Sequence, residues 1–71
     1  MAKQDELDLA NAACRTGFQQ RLVTIYGVLA DGLAIAQDDQ GRQAAIQRAQ
    51  RGVQNSLDTF RVMTGLVNEA P

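Results

Sequence analysis

The sequence predicts an all-α fold: a long antiparallel helical hairpin that dimerises into a four-helix bundle. Good helix formers, chiefly Ala, Leu, Gln and Arg, dominate the 71 residues. Apolar residues recur at helical spacings on both sides of one polar segment, and the alternation typical of strands does not occur. The alternative is a three-helix arrangement in which the first helix breaks near Gly27 or Gly32.

The whole chain, residues 1–71, is predicted to form a single helical-hairpin domain, because this length is too short for two. We expect a helix over about residues 4–37, a turn over about 38–41 and a helix over about 42–68. In the turn, Asp38 or Asp39 can cap the second helix by accepting hydrogen bonds from its first free N–H groups. Gly41 adds backbone freedom at the same place.

The first helix carries a stripe of mostly apolar side chains along its whole length. Its members follow spacings of three and four residues: Leu7, Asn11, Cys14, Phe18, Leu22, Ile25, Leu29, Leu33 and Ala36. These spacings form a pattern of about 3.67 residues per turn, which predicts a nearly straight stripe. Asp5, Glu6 and Asp8 lie at the start of the helix, where its dipole favours negative charge.

In the second predicted helix, apolar residues recur every seven residues. Its stripe and the residues that widen it are Ile46, Ala49, Val53, Ser56, Leu57, Phe60, Met63, Thr64 and Val67. Two helices that each bear one stripe and are joined by a short polar turn must lie antiparallel to bury both stripes.

A single hairpin cannot cover all the apolar surface of the first helix. Between residues 22 and 36, Val28 and Ile35 lie on one flank of the stripe, and Val23 and Tyr26 lie on the other. The chain has one cysteine and no histidine, so an intrachain disulfide or a structural zinc site cannot stabilise it. We therefore predict a homo-oligomer, with a dimer favoured.

The sequence contains no pattern that indicates an enzyme. It has no histidine, no paired base and nucleophile, and no glycine loop to hold a phosphate, so we predict a non-catalytic protein without cofactor or metal. Its predicted function is to bind another protein, as an adaptor, an inhibitor or an accessory regulatory factor of phage or plasmid type. The candidate oligomer and partner interface consists of Phe18, Leu22, Ile25, Tyr26, Val28, Leu29, Leu33, Ile35, Gln43, Gln47, Gln50 and Gln54.

The arginines of the second helix do not form a nucleic-acid-binding stripe. Relative to Ile46, they project at about 320° (Arg42), 200° (Arg48), 140° (Arg51) and 60° (Arg61). Cations that follow a phosphate backbone should lie on one side of the helix. Residues 1–39 hold three basic and six acidic side chains, a balance of −3, and residues 40–61 hold four arginines and Asp58, a balance of +3. Attraction between the two helices therefore explains the basic half without nucleic acid.

A hairpin dimer that binds nucleic acid is the runner-up interpretation. In overall plan the predicted hairpin resembles that of the Rop family of repressors, and the opening MAKQ, with Asn11 and Arg15, is similar to the start of that family. The resemblance implies a nucleic-acid-binding dimer. Most of the basic residues that such binding needs along the first helix are absent, and no binding residue is carried over. A third interpretation is a structural subunit of secretion type that polymerises through further apolar pairs, such as Val62 and Leu66.

Two single residues have simple structural explanations. Cys14 lies on the stripe and is predicted to be a buried thiol. Asp31 projects away from the Leu22 direction and is predicted to be exposed. The segment MAKQDELD does not resemble a secretion signal, and the longest apolar stretch, residues 22–36, is too short to span a membrane. We expect a soluble, cytoplasmic protein.

Overall fold

The computed structural model describes residues 2–69 and consists of two long helices. Helix α1 spans Ala2–Ile35, helix α2 spans Asp39–Glu69, and the two pack against each other. The prediction of an all-α helical hairpin is confirmed. Met1 of the MAKQ segment lies outside the described residues.

Helix α1 is continuous, so the three-helix alternative is wrong. Gly27 and Gly32 both lie inside the helix, and neither has a positive φ angle. Glycine costs about 1 kcal/mol relative to alanine inside a helix. At Gly32 this cost is offset by closer packing of the two helices, since an added Cβ atom would lie only 3.1 Å from the Cβ of Ala45. The missing side chain permits close approach of α2.

Asp38 fixes the start of α2. Its carboxylate oxygen Oδ1 accepts a hydrogen bond of 2.7 Å from the Gly41 N–H, and its carbonyl accepts one of 3.1 Å from the Arg42 N–H. Asp38 is therefore the capping residue, as one of the two predicted choices. Because the cap precedes Gly41, α2 begins at Asp39 rather than near residue 42, and the link consists of residues 36–38. Gly41 lies in the first turn of α2 instead of the link.

The seam between the helices follows the predicted stripe of α1. All nine stripe residues, from Leu7 to Ala36, are half-buried. On α2 the predicted stripe is wrong at Val53 and Met63, which are exposed, but right at Ser56, which is buried; Ala45, outside the predicted stripe, is also buried. In the half near the turn, α2 approaches α1 at the small residues Ala45 and Gly52.

The hairpin is one layer thick and has almost no interior. Its Cα atoms extend over 56 × 16 × 8 Å, and the radius of gyration is 16.5 Å. A compact globule of this length would have a radius of gyration of about 11 Å. Among the described residues only Ala45 and Ser56 are buried, at 4% and 5% exposure. Both broad sides of the layer are therefore open.

Candidate functional site

A furrow runs along one broad side of the hairpin, between α1 and α2. It consists of two depressions, one of about 520 Å³ in the half near the free helix ends and one of about 390 Å³ in the half near the turn. We call these the open half and the turn half. Arg21 lines both depressions, so they meet at the middle of the hairpin.

The turn half has a floor of small residues. Gly32, Ala45 and Ala49 line it, and the exposed side chains of Val28 and Ile35 stand at its α1 edge. A Cβ atom added at Gly52, one turn further along α2, would lie 3.2 Å from Cδ1 of Ile25. The helices are thus in close contact here, and Val28 and Ile35 lie beside the seam.

The open half is held together by larger side chains. The rings of Phe18 and Phe60 lie with their centroids 5.1 Å apart and their planes at 33°. Nearer the helix ends, the amides of Asn11 and Asn68 each donate a hydrogen bond of 3.3 Å to the other's carbonyl oxygen. These contacts fix the register of the two helices at the end far from the turn.

The residues of the candidate interface fall into three groups in the structure. The first group lies half-buried at the seam between the helices and comprises Phe18, Leu22, Ile25, Leu29 and Leu33. A second group is exposed: Val28 at 62% and Ile35 at 80% beside the furrow, and Tyr26 at 75% elsewhere on α1. The structure therefore brings Val28 and Ile35 together with part of the seam but leaves Tyr26 apart.

The four glutamines form the third group, and all of them are exposed. They are Gln43, Gln47, Gln50 and Gln54. The Nε2 atom of Gln54 donates a hydrogen bond of 3.0 Å to Oδ1 of Asp58, which also pairs with Arg61 at 4.0 Å. None of the four lines the furrow. They belong to a separate surface from Val28 and Ile35.

The predicted attraction between the oppositely charged halves does not take the form of contacts. Within residues 2–69 the one ion pair, Arg61 with Asp58, lies inside α2, and none joins the helices. Arg21, Arg48 and Asp31 instead line the furrow. The arginines of α2 are exposed.

The shape of the furrow is the feature that sequence reasoning missed. Ala10, Ala13 and Gly17 line the open half together with the half-buried thiol of Cys14. Their spacing of three and four residues is the same helical period that identifies the apolar stripe. A Cβ atom added at Gly17 would have nothing within 4 Å, so these small residues leave open space in the furrow and do not bring the helices together.

The described residues offer no grouping of three side chains that could ligate a metal ion. Neither helix, over the part of the chain that the structure describes, has an apolar stretch long enough to cross a membrane. Comparison with protein-family models, curated proteins and solved structures finds no match to this chain.

Proposed function

We propose that the chain is a non-catalytic protein that dimerises into a four-helix bundle and acts by binding another protein. The observation that supports this most directly is the thinness of the hairpin. Domains are stable when they bury one face of each layer against another layer, and this hairpin is a single layer. A second copy supplies the missing layer.

The exposed area supports the same proposal quantitatively. The chain exposes 5682 Å². A compact monomer of 7.7 kDa would expose about 4,300 Å² by the scaling for folded proteins. The excess, roughly 1,300–1,400 Å² per chain, is larger than the ~800 Å² that each partner buries in a standard interface. Dimerisation is therefore sufficient to bury most of this excess.

One surface remains for a different protein after dimerisation. Tyr26 and Val23, both exposed, lie on parts of α1 that do not line the furrow. The glutamines of α2 lie outside it as well. Tyrosine is enriched in protein–protein interfaces, and the glutamines add exposed hydrogen-bonding groups on α2. We assign partner binding to this surface.

The test is the light-scattering mass over a hundredfold range of concentration, at low and high salt. A steady mass near twice 7.7 kDa at both salt concentrations supports the dimer. A monomer throughout the range contradicts it. Co-purification of a nucleic acid that is lost steeply as salt increases would favour the nucleic-acid-binding interpretation instead.

A polymerising structural subunit is the second candidate function. The observation that favours it is that exposed apolar side chains occur on several sides, with Tyr26, Val62 and Leu66 all outside the furrow. Surfaces of that kind on different sides permit open assembly. The same light-scattering series separates this candidate, because its mass would grow with concentration without reaching a limit.

A further inference from the structure

The helix that contributes the larger apolar side chains to the furrow differs between its two halves. In the turn half, the large exposed side chains belong to α1, at Val28 and Ile35. Of the α2 residues that line it there, Ala45 and Ala49 are small, and Arg48 is a large charged residue. The apolar part of the furrow is therefore higher on its α1 side than on its α2 side near the turn.

In the open half the sizes are reversed. Helix α1 contributes Ala10, Ala13 and Gly17, and nothing lies within 4 Å of a Cβ atom added at Gly17. Towards the free ends, α2 contributes the larger side chains of Met63 and Val67, whereas nearer the middle the lining includes Phe18 and Arg21 of α1 and Ser56 and Thr59 of α2. The low side of the furrow thus changes from α2 to α1 towards the free ends.

We propose that a second copy of this chain covers the furrow, with the turns of the two hairpins at the same end. This inference rests on the proposed dimer and specifies its interface and its symmetry. A two-fold axis parallel to the helices places α1 of each copy over α2 of the other at the same level. Val28 then lies over the small residues near Ala49, and Met63 lies over those near Gly17. Large side chains meet small ones in both halves.

The charges of the furrow fit the same arrangement. Asp31 and Arg48 both line the turn half, and neither forms an ion pair with another side chain of residues 2–69. With the turns at one end, Arg48 of each copy faces Asp31 of the other, so that two complementary pairs form per dimer. With the turns at opposite ends and the two-fold axis at the middle of the furrow near Arg21, α1 would lie on α1 in reverse, and Asp31 would come level with Asn11. That alternative forms no pair between Asp31 and Arg48.

The first experiment tests which broad side of the hairpin forms the dimer interface. It uses a matched pair of substitutions, Val28→Lys and Val23→Lys. Both valines are exposed on α1, at 62% and 71%, but only Val28 lines the furrow. We expect Val28→Lys to raise the dimer dissociation constant more than about tenfold, because the ammonium group loses water at the interface. Val23→Lys should change it by less than about twofold. Circular dichroism checks that both variants remain helical.

The mass of the wild-type protein distinguishes a failure of the proposed dimer from a failure of its assignment to the furrow. A monomeric wild type contradicts the proposed dimer itself. A dimeric wild type with an unaffected Val28→Lys variant, or with a Val23→Lys variant that dissociates, leaves the dimer intact but overturns its assignment to the furrow.

The second experiment tests the symmetry with single-cysteine variants in a Cys14→Ser background. Gly17→Cys and Thr59→Cys both lie in the open half, near the middle of the hairpin. With the turns at one end, copies of the same helix are diagonal neighbours more than ~10 Å apart, too far for a disulfide. Mild oxidation should then link the two variants only when they are mixed. Strong self-linking of each variant alone would show that the turns lie at opposite ends and would overturn the proposed symmetry.

Discussion

The turn half and the open half of the hairpin join the same two helices by different means. Near the turn, small residues bring the backbones together, and a Cβ atom at Gly32 would lie 3.1 Å from that of Ala45. Near the free ends, the tilted rings of Phe18 and Phe60 and the paired amides of Asn11 and Asn68 join the helices. One half depends on the absence of side chains, and the other depends on specific side chains.

This difference shows why the hairpin needs a further layer. Small residues at a seam give close contact but bury little apolar area, and burial contributes only about 25 cal/mol per Å². Two of the large aliphatic side chains of the turn half, Val28 and Ile35, remain outside the seam and exposed. The open half places its aromatic rings between the helices, but both rings are only half-buried. Neither half forms a closed core.

The largest expected effect comes from placing a charge at the seam of the turn half. Leu29 is half-buried there and also lines the furrow. Leu29→Asp should cost about 3 kcal/mol or more, dissociate the oligomer and largely unfold the chain, as measured by circular dichroism and light scattering. Val23→Asp, an exposed control on the same helix, should remain folded. A folded Leu29→Asp oligomer of full mass would mean that the seam is misplaced.

The next effect tests the role of the aromatic pair in the open half. Phe60→Ala removes the ring that lies 5.1 Å from that of Phe18, and it should lower the free energy of unfolding by about 2–3 kcal/mol. Phe60→Leu retains most of the apolar volume and should cost less than half as much. Urea denaturation at one protein concentration measures both variants. A loss below ~0.5 kcal/mol for Phe60→Ala would remove the distinction between the halves.

A pair of glycine substitutions tests the close approach in the turn half. Gly27→Ala adds a side chain in open space and should stabilise the protein by about 1 kcal/mol through helix propensity. Gly32→Ala gains the same propensity but must displace the buried Ala45, so we expect a net loss of about 1 kcal/mol. Equal stabilisation of the two variants, measured by thermal unfolding, would show that the contact is loose.

The smallest effect concerns the paired amides at the open end. Asn11→Ala should cost about 0.5 kcal/mol, because the bonds of 3.3 Å to Asn68 are exposed to water. Combining it with Asn68→Ala should cost less than the sum of the two single changes. Gln4→Ala is a control, since the amide of Gln4 bonds only within α1, to Asp8 at 3.0 Å. Additive costs would mean that the amides do not couple the helices.

The sequence was informative where the physics is local or periodic. The α1 stripe could be identified because large apolar residues mark it at a helical period. The cap of α2 could be narrowed to Asp38 or Asp39, because few residue types cap the start of a helix, and the structure assigns it to Asp38. The seam of α2 was partly misassigned, since the residues nearest to α1 are small. Ala45 has a weak hydrophobic signal on its own, and its burial depends on the facing Gly32 of another helix.

The furrow could not be predicted from the residue pattern of one helix alone. Its shape results from which residues of two helices lie at the same level, and that depends on a register fixed by the turn and by the Asn11–Asn68 pair. The candidate interface predicted from the sequence therefore combined seam residues with exposed ones. Leu33 and Ile35, two residues apart, illustrate this. Leu33 is half-buried at the seam, whereas Ile35 is 80% exposed.

The most direct test of the central claim, that the hairpin depends on a second copy for its stability, is the urea midpoint of helix unfolding as a function of protein concentration. For a folded dimer in equilibrium with unfolded chains, each tenfold increase in concentration adds about 1.4 kcal/mol in favour of folding. We predict that the midpoint rises steadily over a hundredfold range of concentration. A cooperative transition with a midpoint that does not change over this range would show that the single hairpin folds on its own and would contradict the account.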